Sequence, residues 1–240
     1  MDFTQLRSRI QKVLHWLNLR LDHNDCILCQ SRVEQVLPLR LLCPTCYQDL
    51  ERWPLGHDIL RDNPNYASDI NHQHFDGLCV IGHYRWPFSY LIQRLKYHKQ
   101  IYLSEPLALL LEEQIRYAPW PAIDYICPLP LHSKRYYQRG YNQAALLTLH
   151  IGRQLAIPEL RSLKRKKNTL AQAKLNRRQR LNNIKDAFHC HQDLTGKTIL
   201  LVDDVITTGS TLDQASCELK RCGAHRVLAA ALTIRPLRAP

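Results

Sequence analysis

Two adjacent carboxylates, Asp203 and Asp204, close the apolar run ILLV and lead through Val205 and Ile206 into Thr207, Thr208, Gly209, Ser210 and Thr211. An ordinary core strand does not carry such a pair, because burying unpaired carboxylates is costly. The pattern reads as a strand ending at Val202, with both aspartates at its carboxyl end and Thr207 to Thr211 turning into a helix. Free N–H groups at a helix start, with the hydroxyls of Thr207, Thr208, Ser210 and Thr211, suit a phosphate, and Gly209 lets the backbone approach it. Carboxylates do not suit that phosphate. They accept hydrogen bonds from a sugar diol, or hold Mg²⁺ indirectly, so the stretch fits a ribose bearing a 5′-phosphate. A helix N-cap after a buried strand is the plainer alternative; it explains Ser210 or Thr211 but not two aspartates.

A second constellation lies near the N-terminus. Cys26 and Cys29 form CILC, Cys43 and Cys46 form CPTC, and thirteen residues separate the pairs. Each Cys-x-x-Cys wraps two thiolates around one ion, and two such knuckles complete a tetrahedral sulfur site of the structural zinc type. Binding would supply folding energy to a segment too short for its own core. A redox pair is the rival, but no redox-type βαβ unit surrounds these cysteines. The other five, Cys79, Cys127, Cys190, Cys217 and Cys222, are scattered and expected to be buried apolar thiols.

These residues need a frame. From Gly77 onward, strand-like stretches (GLCVIGHYRW, IDYICPLP, KTILLVDDV, HRVLAAALTI) alternate with stretches of helical spacing (FSYLIQRLKYHKQ, EPLALLLEEQIR, YNQAALLTLHIGRQLA, STLDQASCELKRCGA), the last stopped by Gly223. Such alternation predicts an α/β parallel sheet flanked by helices, binding ligands beyond the carboxyl ends of its strands. The expected organisation is an amphipathic helix over 1–20, a zinc-binding module over 21–55, an irregular connector over 56–76 and the α/β domain over 77–240. His72 and His74 in the connector read as exposed linker histidines. Leu6, Ile10, Val13, Leu14 and Leu17 form one helix face, expected to dock on the rest of the protein, with attachment to an anionic membrane as the alternative. No apolar run is long enough for a transmembrane span. The formal net charge of +12 over 240 residues favours a polyanionic partner, with solubility alone as the bland reading.

The stretch ILLVDDVITTGST resembles, position by position, the phosphoribosyl pyrophosphate (PRPP) signature of type I phosphoribosyltransferases. Adding the four-cysteine knuckle, CPLPLHSKRYYQRGYNQA and LKRKKNTLAQAKLNRRQRLNNIKDAF, the chain from Cys26 onward resembles the ComF family of competence and DNA-utilisation proteins. That resemblance implies a type I phosphoribosyltransferase fold with a small zinc module, and a cytoplasmic role in DNA uptake, peripheral to the inner membrane and its uptake machinery. It implies PRPP with Mg²⁺ as ligand. Asp203 and Asp204 would face the ribose hydroxyls, and Thr207, Thr208, Gly209, Ser210 and Thr211 would cradle the 5′-phosphate. The family's Arg-Gly-Phe/Tyr-Asn-Gln stretch falls on Arg139 to Gln143, and a longer loop pattern on Arg165, Thr169, Gln172, Leu175, Arg180, Asn183 and Phe188. Arg135 and Arg139 offer guanidinium forks to pyrophosphate, with solvated surface charge as the alternative. Lys96, Gln172 and Arg180 join them as candidates. Two positions depart from the family: Lys99 and Lys174 stand where relatives often carry glycine.

Between Arg161 and Arg180 there are nine Lys or Arg and no acid. This stretch matches in position the mobile loop that closes over type I transferase sites and excludes water. Its Lys164, Arg165, Lys166, Lys167, Lys174, Arg177 and Arg178 are also candidates for tracking a single-stranded DNA backbone, with base stacking left to Tyr136, Tyr137 or Tyr141. A solvated disordered loop is the bland alternative. Three functions are open: a PRPP- and single-stranded-DNA-binding protein of DNA uptake, a nucleobase salvage transferase, and a non-catalytic PRPP-responsive regulator. No general base is assignable.

Overall fold

The computed structural model describes residues 25–33, 41–131, 136–137, 139–165 and 187–235. Four strands, β1 (Gly77–His83), β2 (Tyr125–Pro128), β5 (Thr198–Ile206) and β6 (Arg226–Ile234), make one parallel sheet in the order β1-β6-β5-β2. Two short strands, β3 (Lys164–Arg165) and β4 (Phe188–His189), pair antiparallel beside it. Alternate residues of each main strand point to opposite faces, so the sheet has two cores. One face, with Ile81, Leu200, Val202, Ala230 and Leu232, packs helices α4 (Phe88–Tyr97), α5 (Ser104–Tyr117) and α6 (Gln143–Gln154). The other, with Val80, Leu201, Ala229 and Ala231, packs α7 (Ser210–Arg221) through Leu212, Ala215 and Leu219. A sheet covered on both faces explains strands that read as continuous apolar runs. Gly223 has φ +95°, the left-handed stop expected after α7.

Before the sheet come three short helices, α1 (Pro44–Gln48), α2 (Ile59–Asp62) and α3 (Pro64–Asp69). The stretch expected as an irregular connector thus carries helical turns, each N-capped by a side chain: Asp58 for α2 and Asn63 for α3. At four and six residues they are too short to show a helical period. The chain from the cysteine module lies along the outer edge of β1, where the Trp53 N–H donates to the Ile81 carbonyl. Cys26, Leu42, Cys43, Cys46 and Leu50 pack into the same core as α4 and α5, so the module is seated on the domain.

Among the described residues no helix is long and apolar enough to cross a membrane. The amphipathic stretch over 1–20 lies outside the described residues.

Candidate functional site

β2 stops at Pro128, opposite Val202, while β5 continues to Ile206 along β6. The strand therefore does not end at Val202 as its sequence suggested; Asp203 and Asp204 lie within it, in the part that projects past β2. The pair stays in strand through the β6 pairing, and cations stand close to it. On the α4 face, Lys96 Nζ lies 2.9 Å from Asp204 Oδ1, and both side chains are largely buried. The positive charge of Lys96 and, more weakly, that of Arg165 on β3 also act on Asp203. Asp203 also accepts a 2.8 Å hydrogen bond from the Asp204 backbone N–H. Surrounding protein, and secondarily the Asp204 charge, push the Asp203 carboxyl up to about 7, with Lys96 and Arg165 pulling the other way. Asp203 is only partly screened from solvent, so its carboxyl stays within reach of a ligand.

The turn after β5 is held from behind. Gly209 has φ +71°, and a Cβ there would lie 2.4 Å from Ile70 Cγ2 and 2.7 Å from the Asn71 carbonyl oxygen. Only glycine combines that backbone with that contact. The Asn71 N–H donates to the Thr208 carbonyl (2.9 Å), fixing the turn's peptides. Thr208 Oγ1 lies 3.0 Å from Ser210 Oγ, so the two hydroxyls orient each other at the start of α7. One turn into α7, the buried Asp213 accepts from Asn71 Nδ2 (3.2 Å) and the His74 N–H (2.8 Å), and lies 3.0 Å from His74 Nδ1. The connector is a clasp on the Thr207 to Thr211 turn, and His74, expected as an exposed linker histidine, is half-buried in it. No local pattern signals this, because the partners are 139 to 142 residues apart.

The RGYNQ stretch reaches the same end of the sheet. Asn142 caps α6, accepting from the Ala144 N–H, and its Nδ2 donates to the carbonyl of Leu129, whose own N–H is bonded to Val202. Tyr141 is spent as an anchor, its hydroxyl donating to the Leu95 carbonyl. Arg139 donates to Gln143 Oε1 (3.2 Å) and stands over the Tyr97 ring at 5.3 Å, one residue after Lys96. Lys99 has φ +56°, in the left-handed region that favours glycine. The structure thus gathers Lys96, Arg139, Asp203, Asp204, Thr207, Thr208, Gly209, Ser210 and Thr211 around one strand end, with Lys164 and Arg165 beside it on β3. Arg135, Lys166, Lys167, Gln172, Lys174, Arg177, Arg178 and Arg180 lie outside the described residues.

The four predicted ligand cysteines converge, their Sγ atoms all within 4.8 Å of one another. Cys29 and Cys43 Sγ are 3.7 Å apart, against the roughly 3.8 Å edge of a tetrahedron with ~2.3 Å zinc–sulfur bonds. The Cys46 N–H donates to Cys43 Sγ (3.4 Å) and helps draw that thiol down. The Ser31 hydroxyl and backbone hold Cys29 down at about 6, whereas burial pushes Cys46 up. Soft donors in this geometry fit a structural metal. Of the remaining cysteines, Cys79, Cys127 and Cys190 are buried as expected, but Cys217 and Cys222 are only half-buried.

Comparison with known proteins agrees with this arrangement. Residues 141–238 match the phosphoribosyl transferase domain family. The chain is 34% identical to competence protein F of Haemophilus influenzae, over 84% of this chain and 93% of that protein. It is 31% identical to DNA utilization protein YhgH of Salmonella typhi, over 84% of this chain and 86% of that one. A purine phosphoribosyltransferase from Pyrococcus horikoshii aligns over 56% of this chain and 74% of its own, at 21% identity and a TM-score of 0.36, too low to carry further argument.

Proposed function

The chain belongs to the ComF family of competence and DNA-utilisation proteins, and from that premise we propose that it binds PRPP with Mg²⁺ and single-stranded DNA in the handling of imported DNA. The observation that carries the reading is the paired Asp203 and Asp204 on the projecting end of β5, next to the clasped Gly209 turn. Asp203 and Asp204 accept the ribose hydroxyls. The turn from Thr207 to Thr211 presents hydroxyls and α7 N–H groups to the 5′-phosphate, where the helix dipole favours an anion. Lys96 holds Asp204 in place, and with Arg139 puts positive charge on the side where pyrophosphate would extend. Hard carboxylate oxygens suit Mg²⁺, which would neutralise pyrophosphate charge when bound. Zinc, held by Cys26, Cys29, Cys43 and Cys46, would have no open position and would act as a staple.

The DNA part rests on the net charge of +12 and on the basic stretch that begins at Lys164. By this reading the protein works in the cytoplasm, peripheral to the inner membrane, alongside uptake proteins there. Calorimetric titration of PRPP and Mg²⁺, with and without a short oligothymidylate, tests it. The expected result is saturable PRPP binding whose affinity shifts when the oligonucleotide is present. PRPP binding indifferent to DNA would remove the uptake role, and no PRPP binding would remove the site assignment.

A further inference from the structure

We propose that Tyr97, Tyr136 and Tyr137 form a stacking platform for the bases of single-stranded nucleic acid, beside the ribose-phosphate site. This deepens the DNA-binding reading above and rests on it. The three rings are left in water: Tyr97 is 64% exposed, Tyr136 50% and Tyr137 84%. They are not scattered. Arg139 links them, standing 5.3 Å over the Tyr97 ring from a turn closed by the Gly140 N–H on the Tyr136 carbonyl (2.7 Å). Tyr136 and Tyr137 meet edge to face with centroids 6.4 Å apart.

Base faces stack on aromatic rings regardless of sequence, and only unpaired bases expose both faces. A platform works best when its rings are already held, because ordering them on binding costs affinity. Tyr97 sits at the last position of α4 and is braced by Arg139, itself tied to Gln143 in the first turn of α6. The charge around the rings suits a polyanion. Residues 93–104 and 129–153 contain no Asp or Glu, while His98 and Lys99 are exposed next to Tyr97. Lys96, one residue earlier, points to Asp204, so a strand stacked here passes the mouth of the site. Tyr141 is no part of the platform because it is half-buried against the core, with its hydroxyl bound to the Leu95 carbonyl.

The test is fluorescence anisotropy of a labelled oligothymidylate with the full chain, comparing Tyr97→Ala, Tyr97→Phe and the double variant Tyr136→Ala, Tyr137→Ala. Each alanine set should weaken binding by roughly 5- to 100-fold, the range of base–aromatic stacking, whereas Tyr97→Phe should stay within about two-fold. The slope of log Kd against log salt should be unchanged, since no phosphate contact is removed. Unchanged PRPP binding by the Tyr136, Tyr137 double variant would show that its fold is intact. If the wild type binds the oligonucleotide and the alanine variants bind equally well, the platform is wrong and the DNA reading stands. If the wild type does not bind, the DNA reading falls and the platform with it. A polyglutamate competitor that displaces the oligonucleotide from wild type and Tyr97→Phe alike, and whose own affinity drops equally in the alanine variants, would reassign the surface to acidic polypeptide.

Discussion

Replacing Gly209 by alanine tests how the turn after β5 is held. An L-residue at φ +71° costs about 1–2 kcal/mol in the left-handed region. The new Cβ would also sit 2.7 Å from the Asn71 carbonyl oxygen and 2.4 Å from Ile70 Cγ2. A backbone oxygen cannot rotate away, so Asn71 must move and strain its 2.9 Å hydrogen bond to Thr208. Overpacking of this kind costs about 1–3 kcal/mol. The sum is about 2–5 kcal/mol, or a fall in Tm of about 5–15 °C for a domain of this size. Gly140 supplies the control, since its φ is +83° but no atom of the described residues lies within 4 Å of a Cβ there. Gly140→Ala should therefore show only the backbone cost of about 1–2 kcal/mol. Thermal unfolding of both variants, followed by titration of each with PRPP below its Tm, makes the comparison. The expected result is that Gly209→Ala loses more stability than Gly140→Ala and at least about ten-fold in PRPP affinity, roughly 1.4 kcal/mol. Equal Tm values and intact binding would refute the clasp.

Two further outcomes are expected. Because the Asp203 carboxyl is raised to about 7 from the usual carboxylate value of 3.8, the folded chain holds a proton that the unfolded chain has released between those values. Stability should therefore fall as pH rises through that window. Asp203→Asn should flatten this component, seen as urea midpoints between pH 5 and 8; identical slopes for variant and wild type would remove the assignment. The purified chain should carry one zinc, and Cys46→Ser should lose it and lower the Tm, because Cys46 lies in the core shared with α4. Elemental analysis finding no metal in the wild type would end the zinc proposal.

The sheet was legible because β5 and β6 are long apolar runs and the helices between strands show a clear three-four spacing. The acidic pair stands out as a candidate site for the same reason that it misleads about the strand end. Two carboxylates look like a stop when their cations, Lys96 and Arg165, lie in segments distant along the chain. The four cysteines were legible because their ligand spacing is local within each knuckle. The clasp was not, since an aspartate in a first helical turn, such as Asp213, reads as a partner for the helix dipole until Asn71 and His74 arrive from elsewhere. Tyr97 carries no signal in sequence, because an exposed ring at the end of an amphipathic helix looks ordinary there. Its contact with Arg139, from a distant segment of the chain, exists only in three dimensions.

The central claim is that Asp203 and Asp204 hold the ribose of PRPP. Its most direct test is calorimetric titration of PRPP and Mg²⁺ into the wild type and into the Asp203→Asn, Asp204→Asn double variant, both checked for folding by far-UV circular dichroism. Saturable binding to the wild type and none to the folded double variant is predicted. Equal affinity for both would contradict the account.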